Sequence, residues 1–346
     1  MIAWIICCIS TVSYTFLVNG GLTHTMQARK GLRQGDPMSS YVFVLIMEYL
    51  NSCLGTLQSI PDFNFHPRCE RLGITHLCFA DDLLLFARGD TGSVMFLKEK
   101  FDLFSAASGL KTNLSKSQVY FGGVSNRVKE EILQVLGYEI GELPVKYMGV
   151  PLSTRRLNIT QCMPLVAKMT ARITSWMAKG LSYAGRVQMI RSGLFGIQSY
   201  WSQLFILPQK IIKLIEAICR SYLWTGQATV SRRALVAWER VCLPQAAGGL
   251  NILNMKLWNQ AAISKLLWAL SQHKEKLWIT WVHTYYIKNQ NMFTMAIPKQ
   301  ASWMVRKILN MRKYWHTIIA SPTLVKKEKF HIQAAYIALR VPVMAR

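Results

Sequence analysis

The sequence predicts an α+β fold: a small antiparallel sheet covered by helices on one face, followed by a region that is helical throughout. Three observations carry this. The stretch Leu77-Cys78-Phe79-Ala80-Asp81-Asp82-Leu83-Leu84-Leu85-Phe86 sets two adjacent carboxylates inside an apolar run, which reads as a β-hairpin with Ala80, Asp81 and Asp82 at its tip. Helix-period segments flank it, at 39–54 and 91–108. Beyond residue 152 apolar residues recur only at helical spacing. At 346 residues the chain can bury a sizeable core and form about two domains.

Residues 1–18, MIAWIICCISTVSYTFLV, have the hydropathy of a signal or anchor segment. No Lys or Arg precedes the apolar part, no small-residue cleavage site is clear, and hydroxyl residues dilute it, so the reading is a buried helix or helix-strand pair. No other stretch reaches the roughly 18 consecutive apolar residues of a membrane span. Asn19-Gly20-Gly21 is a turn, and Leu22–Ala28 can pair as a strand. Arg29-Lys30-Gly31-Leu32-Arg33-Gln34-Gly35-Asp36-Pro37 is a basic, glycine-punctuated loop ending in a helix start, with Asp36 as the cap and Pro37 at the first helical position. Gly31 and Gly35 allow close backbone approach to a ligand, Arg29, Lys30 and Arg33 supply charge for phosphates, and Gln34 can hydrogen-bond a base or sugar. A loop that merely turns would account for any one of these residues.

Ser39–Leu54 is apolar nearly all round and predicts a helix buried on most sides. In the hairpin that follows, ionised groups are costly to bury, so Asp81 and Asp82 belong at the rim, where hard oxygen ligands suit Mg²⁺. An Asp-rich turn is the plain alternative. Val94, Leu97, Phe101 and Phe104 mark the face of the next helix, which stops at Gly109. Leu110–Ser117 leads into the strand-like Gln118–Phe121, and LPVKYMGVPL at 143–152 is a strand-turn segment bounded by Pro144 and Pro151. Three amphipathic helices follow, with stripes Leu165, Met169, Ile173, Trp176, then Val187, Ile190, Leu194, Ile197, Trp201, then Ile211, Ile215, Ile218, Tyr222. Lys168, Arg172 and Lys179 lie off the first stripe. A turn at Gly248-Gly249 precedes a helix over Leu250–Leu270. Tryptophans at helical spacing read as core.

The formal net charge of +24 is unevenly placed. Residues 1–150 hold 13 basic and 13 acidic residues, whereas 151–346 hold 28 and 4. A near-neutral half is thus followed by a basic half that suits a polyanion such as nucleic acid. The eight cysteines form no CxxC pair and sit mostly in apolar runs, which suits reduced thiols in an intracellular protein, nuclear or cytoplasmic. His66, Cys69, His76 and Cys78 lack a zinc spacing, and His76 and Cys78 fall in the strand leading to Asp81.

Taken in order, GLRQGDPMSSYVF at 31–43, FADD at 79–82, SGLKTNLSKS at 108–117 and LPVKYMGVPL at 143–152 closely resemble a reverse transcriptase of the plant LINE-type, non-LTR retrotransposons. The likeness extends loosely through LSYAGR at 181–186 and AAGGLNI at 246–252. It implies a partial polymerase palm over 1–152, a helical thumb-like bundle over 153–225 and a basic, Trp-rich helical region over 226–346. It also implies RNA-directed DNA synthesis, in which a primer 3′-hydroxyl attacks the α-phosphate of a deoxynucleotide. In that scheme Asp81 and Asp82 are the catalytic metal ligands, for Mg²⁺ or Mn²⁺. Lys116 lies near the departing pyrophosphate, Arg33, Gln34 and Gly35 position template and nucleotide, and Tyr147, Met148 and Gly149 form the primer grip. The expected partners are an RNA template, a DNA primer, their RNA–DNA hybrid and deoxynucleoside triphosphates, with no membrane.

Ser40 stands where the family pattern carries proline, and no Cys/His knuckle, endonuclease or ribonuclease H segment is visible. The resemblance places the family's first metal-binding Asp upstream of Trp4, and residues 1–35 contain no acid. The expectation is therefore a fragment truncated at both ends, weak or inactive alone. The alternatives are a non-catalytic nucleic-acid-binding remnant and, from the apolar start, a membrane protein.

Overall fold

The computed structural model describes residues 2–27, 31–152, 156–177, 180–231, 235–272, 275–320 and 329–344. Ala28, Arg29, Lys30 and Lys179 of the predicted elements lie outside them. The chain divides into two compact units, Met1–Gly141 and Glu142–Arg346. Both are built as the α+β expectation requires, from helices and small ladders.

The first unit opens with helix α1, Ile2–Ser10. A nested hairpin follows, with β1 (Ser13–Tyr14) on β4 (Met26–Gln27) and β2 (Leu17–Val18) on β3 (Gly21–Leu22). Its two-residue turn puts Asn19 at φ 49° and Gly20 at φ 83°, the positive pair that an Asn-Gly turn accepts at little cost. Contrary to expectation α1 is not buried: Trp4 is 80% exposed, and Ile2 and Ile6 are exposed with it. Its apolar residues run all round the helix, and no stripe is wide enough to be covered by so short a hairpin.

Helix α2, Pro37–Gly55, begins as the sequence predicts: Pro37 is its first residue, and the Asp36 carboxylate accepts a hydrogen bond from the Met38 amide at 2.9 Å. It is not buried on most sides. Leu50, Cys53 and Leu54 enter the core, while Tyr41, Val44, Leu45 and Tyr49 are exposed. By length and composition Pro37–Ser59 could cross a membrane, because its scattered Ser, Asn and Glu residues do not offset its apolar ones. Helix α3, Thr91–Ser108, packs on α2 through Leu97 and Phe104 and ends where Gly109 turns left-handed at φ 72°. Between them lie strands β5 (His76–Phe79) and β6 (Asp82–Leu85). Helix α4, Asn126–Leu136, buries Ile132, and β7 (Gln118–Val119) pairs with β8 (Glu139–Ile140) in parallel. The ladders do not merge into the single antiparallel sheet expected: among the described residues each is two-stranded, because the strands are only two to four residues long.

The second unit opens with the hairpin β9 (Val145–Tyr147) and β10 (Val150–Leu152). Helices α5 (Ile159–Met177), α6 (Tyr183–Met189), α7 (Phe195–Leu204), α8 (Gln209–Thr225) and α9 (Trp238–Val241) share one core. Every residue of the three predicted stripes is buried or half-buried there. The stripe from Val187 to Trp201 is interrupted by a π-helical turn, Ile190–Leu194, joining α6 to α7. The predicted helix over 250–270 starts later, at Met255, where the Asn254 side chain accepts from the Leu257 amide. That helix, α10 (Met255–Ser271), packs against α12 (Trp303–Asn310) and α14 (Ile332–Met344) and shares apolar clusters with α11 (Leu277–Val282) and α13 (Trp315–Ile319). The Arg312 guanidinium holds the intervening loop by donating to the carbonyls of Leu309, Met292, Met295 and Phe293.

Glu216 is half-buried on α8. Burial and the like charge of Glu239 push its carboxyl up to about 7, against the pull of Arg220, Lys213 and Lys256. Beside it, burial pushes the Cys242 thiol up to about 12 and raises that of Cys219 further. Cys53, Cys162, Cys219 and Cys242 are buried as expected, but Cys7 and Cys78 are exposed.

Candidate functional site

The hairpin β5–β6 pairs His76 with Leu85, Leu77 with Leu84, Cys78 with Leu83 and Phe79 with Asp82. Ala80 and Asp81 make the two-residue turn, and Ala80 takes the positive φ of 50° that such a turn requires. The Phe86 amide donates to the Thr75 carbonyl at 2.7 Å and closes the base. Leu83 packs against the core of α2 and α3, so Asp82, its neighbour along the strand, faces away from that core. Both Asp81 and Asp82 are exposed, as predicted for the rim. The ion pairs found in this unit lie elsewhere, joining Lys98 to Asp102, Lys100 to Glu99 and Arg127 to Glu131. Two neighbouring, solvated carboxylates that no cation among the described residues pairs with are suitable ligands for a hard divalent ion that keeps several waters. Among the described residues no group of three or more His, Cys, Asp or Glu side chains is placed to hold a metal. His76 and Cys78 sit in β5; partial burial lowers the imidazole's pKa, and the nearby protein, which screens the otherwise exposed thiol in part from water, raises the thiol's, so both favour their neutral forms.

Arg33, Gln34 and Gly35 lie exposed in the loop before α2, with Gly31 and Gly35 at φ 84° and 88°. Both glycines adopt a left-handed backbone that side-chain-bearing residues resist. The loop, α1, β1 and the start of α2 enclose a recess of about 20 Å³. That is room for a water molecule, far short of a nucleotide. Lys116 ends a single 3₁₀ turn, Leu114–Lys116, and is exposed. Asn113 shapes that turn, its side-chain oxygen accepting from the Ser115 amide and hydroxyl, while the Ser117 hydroxyl donates to the Asn113 carbonyl. Among the described residues no hydrogen bond or ion pair ties Lys116 to either Asp.

Tyr147, Met148 and Gly149 belong to the second unit. Tyr147 pairs with Val150 across a turn of Met148 (φ 48°) and Gly149 (φ 78°). Val150 is buried in the bundle core. The Tyr200 hydroxyl, on α7, donates to the Met148 carbonyl at 3.0 Å. Sequence reasoning missed Tyr200, which no local pattern singles out.

Residues 2–152 match the family model described as reverse transcriptase (RNA-dependent DNA polymerase), and the hairpin, the glycine loop and the lysine turn all lie within that match. This part of the chain is similar to the reverse transcriptase family. More particularly, the chain is similar to proteins of mobile elements. It is 27% identical over 225 residues to a 149 kDa transposon TX1 protein of Xenopus laevis, covering 62% of this chain and 16% of the relative. It is 38% identical over 81 residues to the Pol polyprotein of a retrotransposable element R2 of Popillia japonica, covering 23% and 12%. A protein of Arabidopsis thaliana named as a ribonuclease H protein is 30% identical over 155 residues, covering 44% of this chain and 25% of the relative. The chain therefore spans a quarter or less of the length of these relatives.

Proposed function

We propose that the chain is the palm-and-thumb part of a non-LTR retrotransposon reverse transcriptase, and that its chemistry by descent is RNA-directed DNA polymerisation. The observation that carries this is the solvated Asp81–Asp82 pair at the tip of a core-anchored hairpin, inside the segment that matches the family. Asp81 is the direct ligand and Asp82 the lesser one for Mg²⁺, or Mn²⁺, which when bound supplies charge stabilisation for the attacking and leaving oxygens. Arg33 and Gln34 contact the template and the nucleotide, with Gly35 giving the backbone room. Lys116 provides a proton to the departing pyrophosphate from its ammonium group. Tyr147, Met148 and Gly149 hold the primer end. The helical bundle from 153 to 225 grips the RNA–DNA hybrid through its backbone, a contact with little sequence information.

With no third acid beside the pair among the described residues, a metal bridge needs a carboxylate from another segment, and this chain alone extends primers weakly or not at all. The test is primer extension on an RNA template with Mg²⁺, with Asp81→Ala as control and hybrid binding measured in parallel. Hybrid binding with little extension is the expected result. Robust extension lost in Asp81→Ala would overturn the incomplete-site reading, and absence of both binding and extension would overturn the polymerase reading. A second reading, a non-catalytic nucleic-acid-binding remnant, rests on the 28 basic against 4 acidic residues after position 150. It predicts hybrid affinity that falls steeply with salt whatever stands at Asp81.

A further inference from the structure

The geometry points to Tyr200 as a positioning residue for the β9–β10 turn, a role that rests on the reading of that turn as the primer grip. Type I′ turns favour Asn-Gly because both central residues need positive φ. Here the first of them is Met148 at φ 48°, a conformation that side-chain-bearing residues resist. A resisted conformation persists only where its surroundings over-determine it. Two contacts do so. Val150, 3% exposed, roots one strand in the core of the bundle, and the Tyr200 hydroxyl, 52 residues further along the chain, accepts no role in that core but donates to the Met148 carbonyl at 3.0 Å. Met148 and Tyr200 are both exposed, so the tied turn is open to a ligand.

The π turn Ile190–Leu194 sets the phase of this arrangement. One extra residue per turn rotates everything downstream by about 100° relative to an unbroken α-helix. In the observed phase Trp201 is buried while its neighbour Tyr200 reaches the hairpin. Gly193 allows it: a Cβ there would lie 2.4 Å from the Trp176 ring.

The test is Tyr200→Phe in the full chain, which removes the hydroxyl and keeps the ring. Hydrogen exchange is followed in peptides covering 145–152, and affinity is measured for an RNA–DNA hybrid with a recessed primer end and for a blunt hybrid. The expected result is exchange faster by roughly twofold to tenfold in that peptide alone, the equivalent of one net hydrogen bond, with a comparable loss of affinity for the recessed end only. Unchanged exchange would overturn the tie. Faster exchange with unchanged preference for the recessed end, or equal losses on both hybrids, would overturn the positioning role. A wild-type chain that binds neither hybrid would bring down the primer-grip reading and this role with it, while the exchange arm would still report whether Tyr200 holds the turn.

Discussion

Replacing Glu216 by Gln is expected to stabilise the protein at neutral and alkaline pH and to leave it nearly unchanged in mild acid. The carboxyl titrates at about 7 in the folded chain, because it is half-buried and faces Glu239, and Lys213, Arg220 and Lys256 only partly offset these effects. In an unfolded chain a glutamate titrates near 4.3. Between those values the folded state holds more protons than the unfolded one, so this group makes stability fall as pH rises, and its full cost is present above about pH 7. The whole shift, from about 4.3 to about 7, would correspond to roughly 3.7 kcal/mol at 1.36 kcal/mol per unit. Solvent screening of a half-buried group reduces this to on the order of 1–2 kcal/mol. Gln keeps the shape and cannot ionise. Denaturant unfolding of the two proteins at pH 5 and pH 8 measures the difference directly, and titrations elsewhere cancel in the comparison. The variant should exceed the wild type by no more than about 0.6 kcal/mol at pH 5 and by about 1–2 kcal/mol at pH 8, or about 2–4 °C in Tm per kcal/mol. Parallel profiles for the two proteins would refute the assignment of a raised pKa to this site.

Truncating Leu267, which is fully buried on α10, to Ala should cost about 2–5 kcal/mol in denaturant unfolding, and Leu267→Met less than about 1.5. Asp36→Ala removes the cap on the Met38 amide and should cost about 1 kcal/mol, with Asp36→Asn close to wild type in the same assay. Arg312→Lys keeps the charge but not the fork that reaches four carbonyls; a loss of about 1.5–3 kcal/mol and faster proteolytic nicking around 291–295 are expected. Asn19→Ala in the β2–β3 turn, where φ is 49°, should cost about 1 kcal/mol, read as a loss of exchange protection in residues 16–23.

Much of this architecture is written locally. The paired aspartates between two apolar runs, the Asp36-Pro37 helix start, the Asn19-Gly20 turn, the stop at Gly109 and the stripes of α5 and α8 each follow from a backbone preference or a side-chain period acting over a few residues. The four ordered motifs that resemble those of a reverse transcriptase are legible for the same reason, being contiguous. What the tertiary structure alone decided depends on partners far along the chain. Apolar residues all round α1 and α2 said that these helices avoid water, but not which face would find a neighbour, and the hairpins beside them cover only part. A π turn that takes up one extra residue inside an apolar stripe leaves the stripe's composition unchanged, yet it chooses between Tyr200 and Trp201 for the core. Glu216 reads as an ordinary surface glutamate until α9 and α10 fold over it and bring Glu239 and Lys256 into its field. Short-range preference determined the elements, and long-range burial decided their charge states and exposed faces.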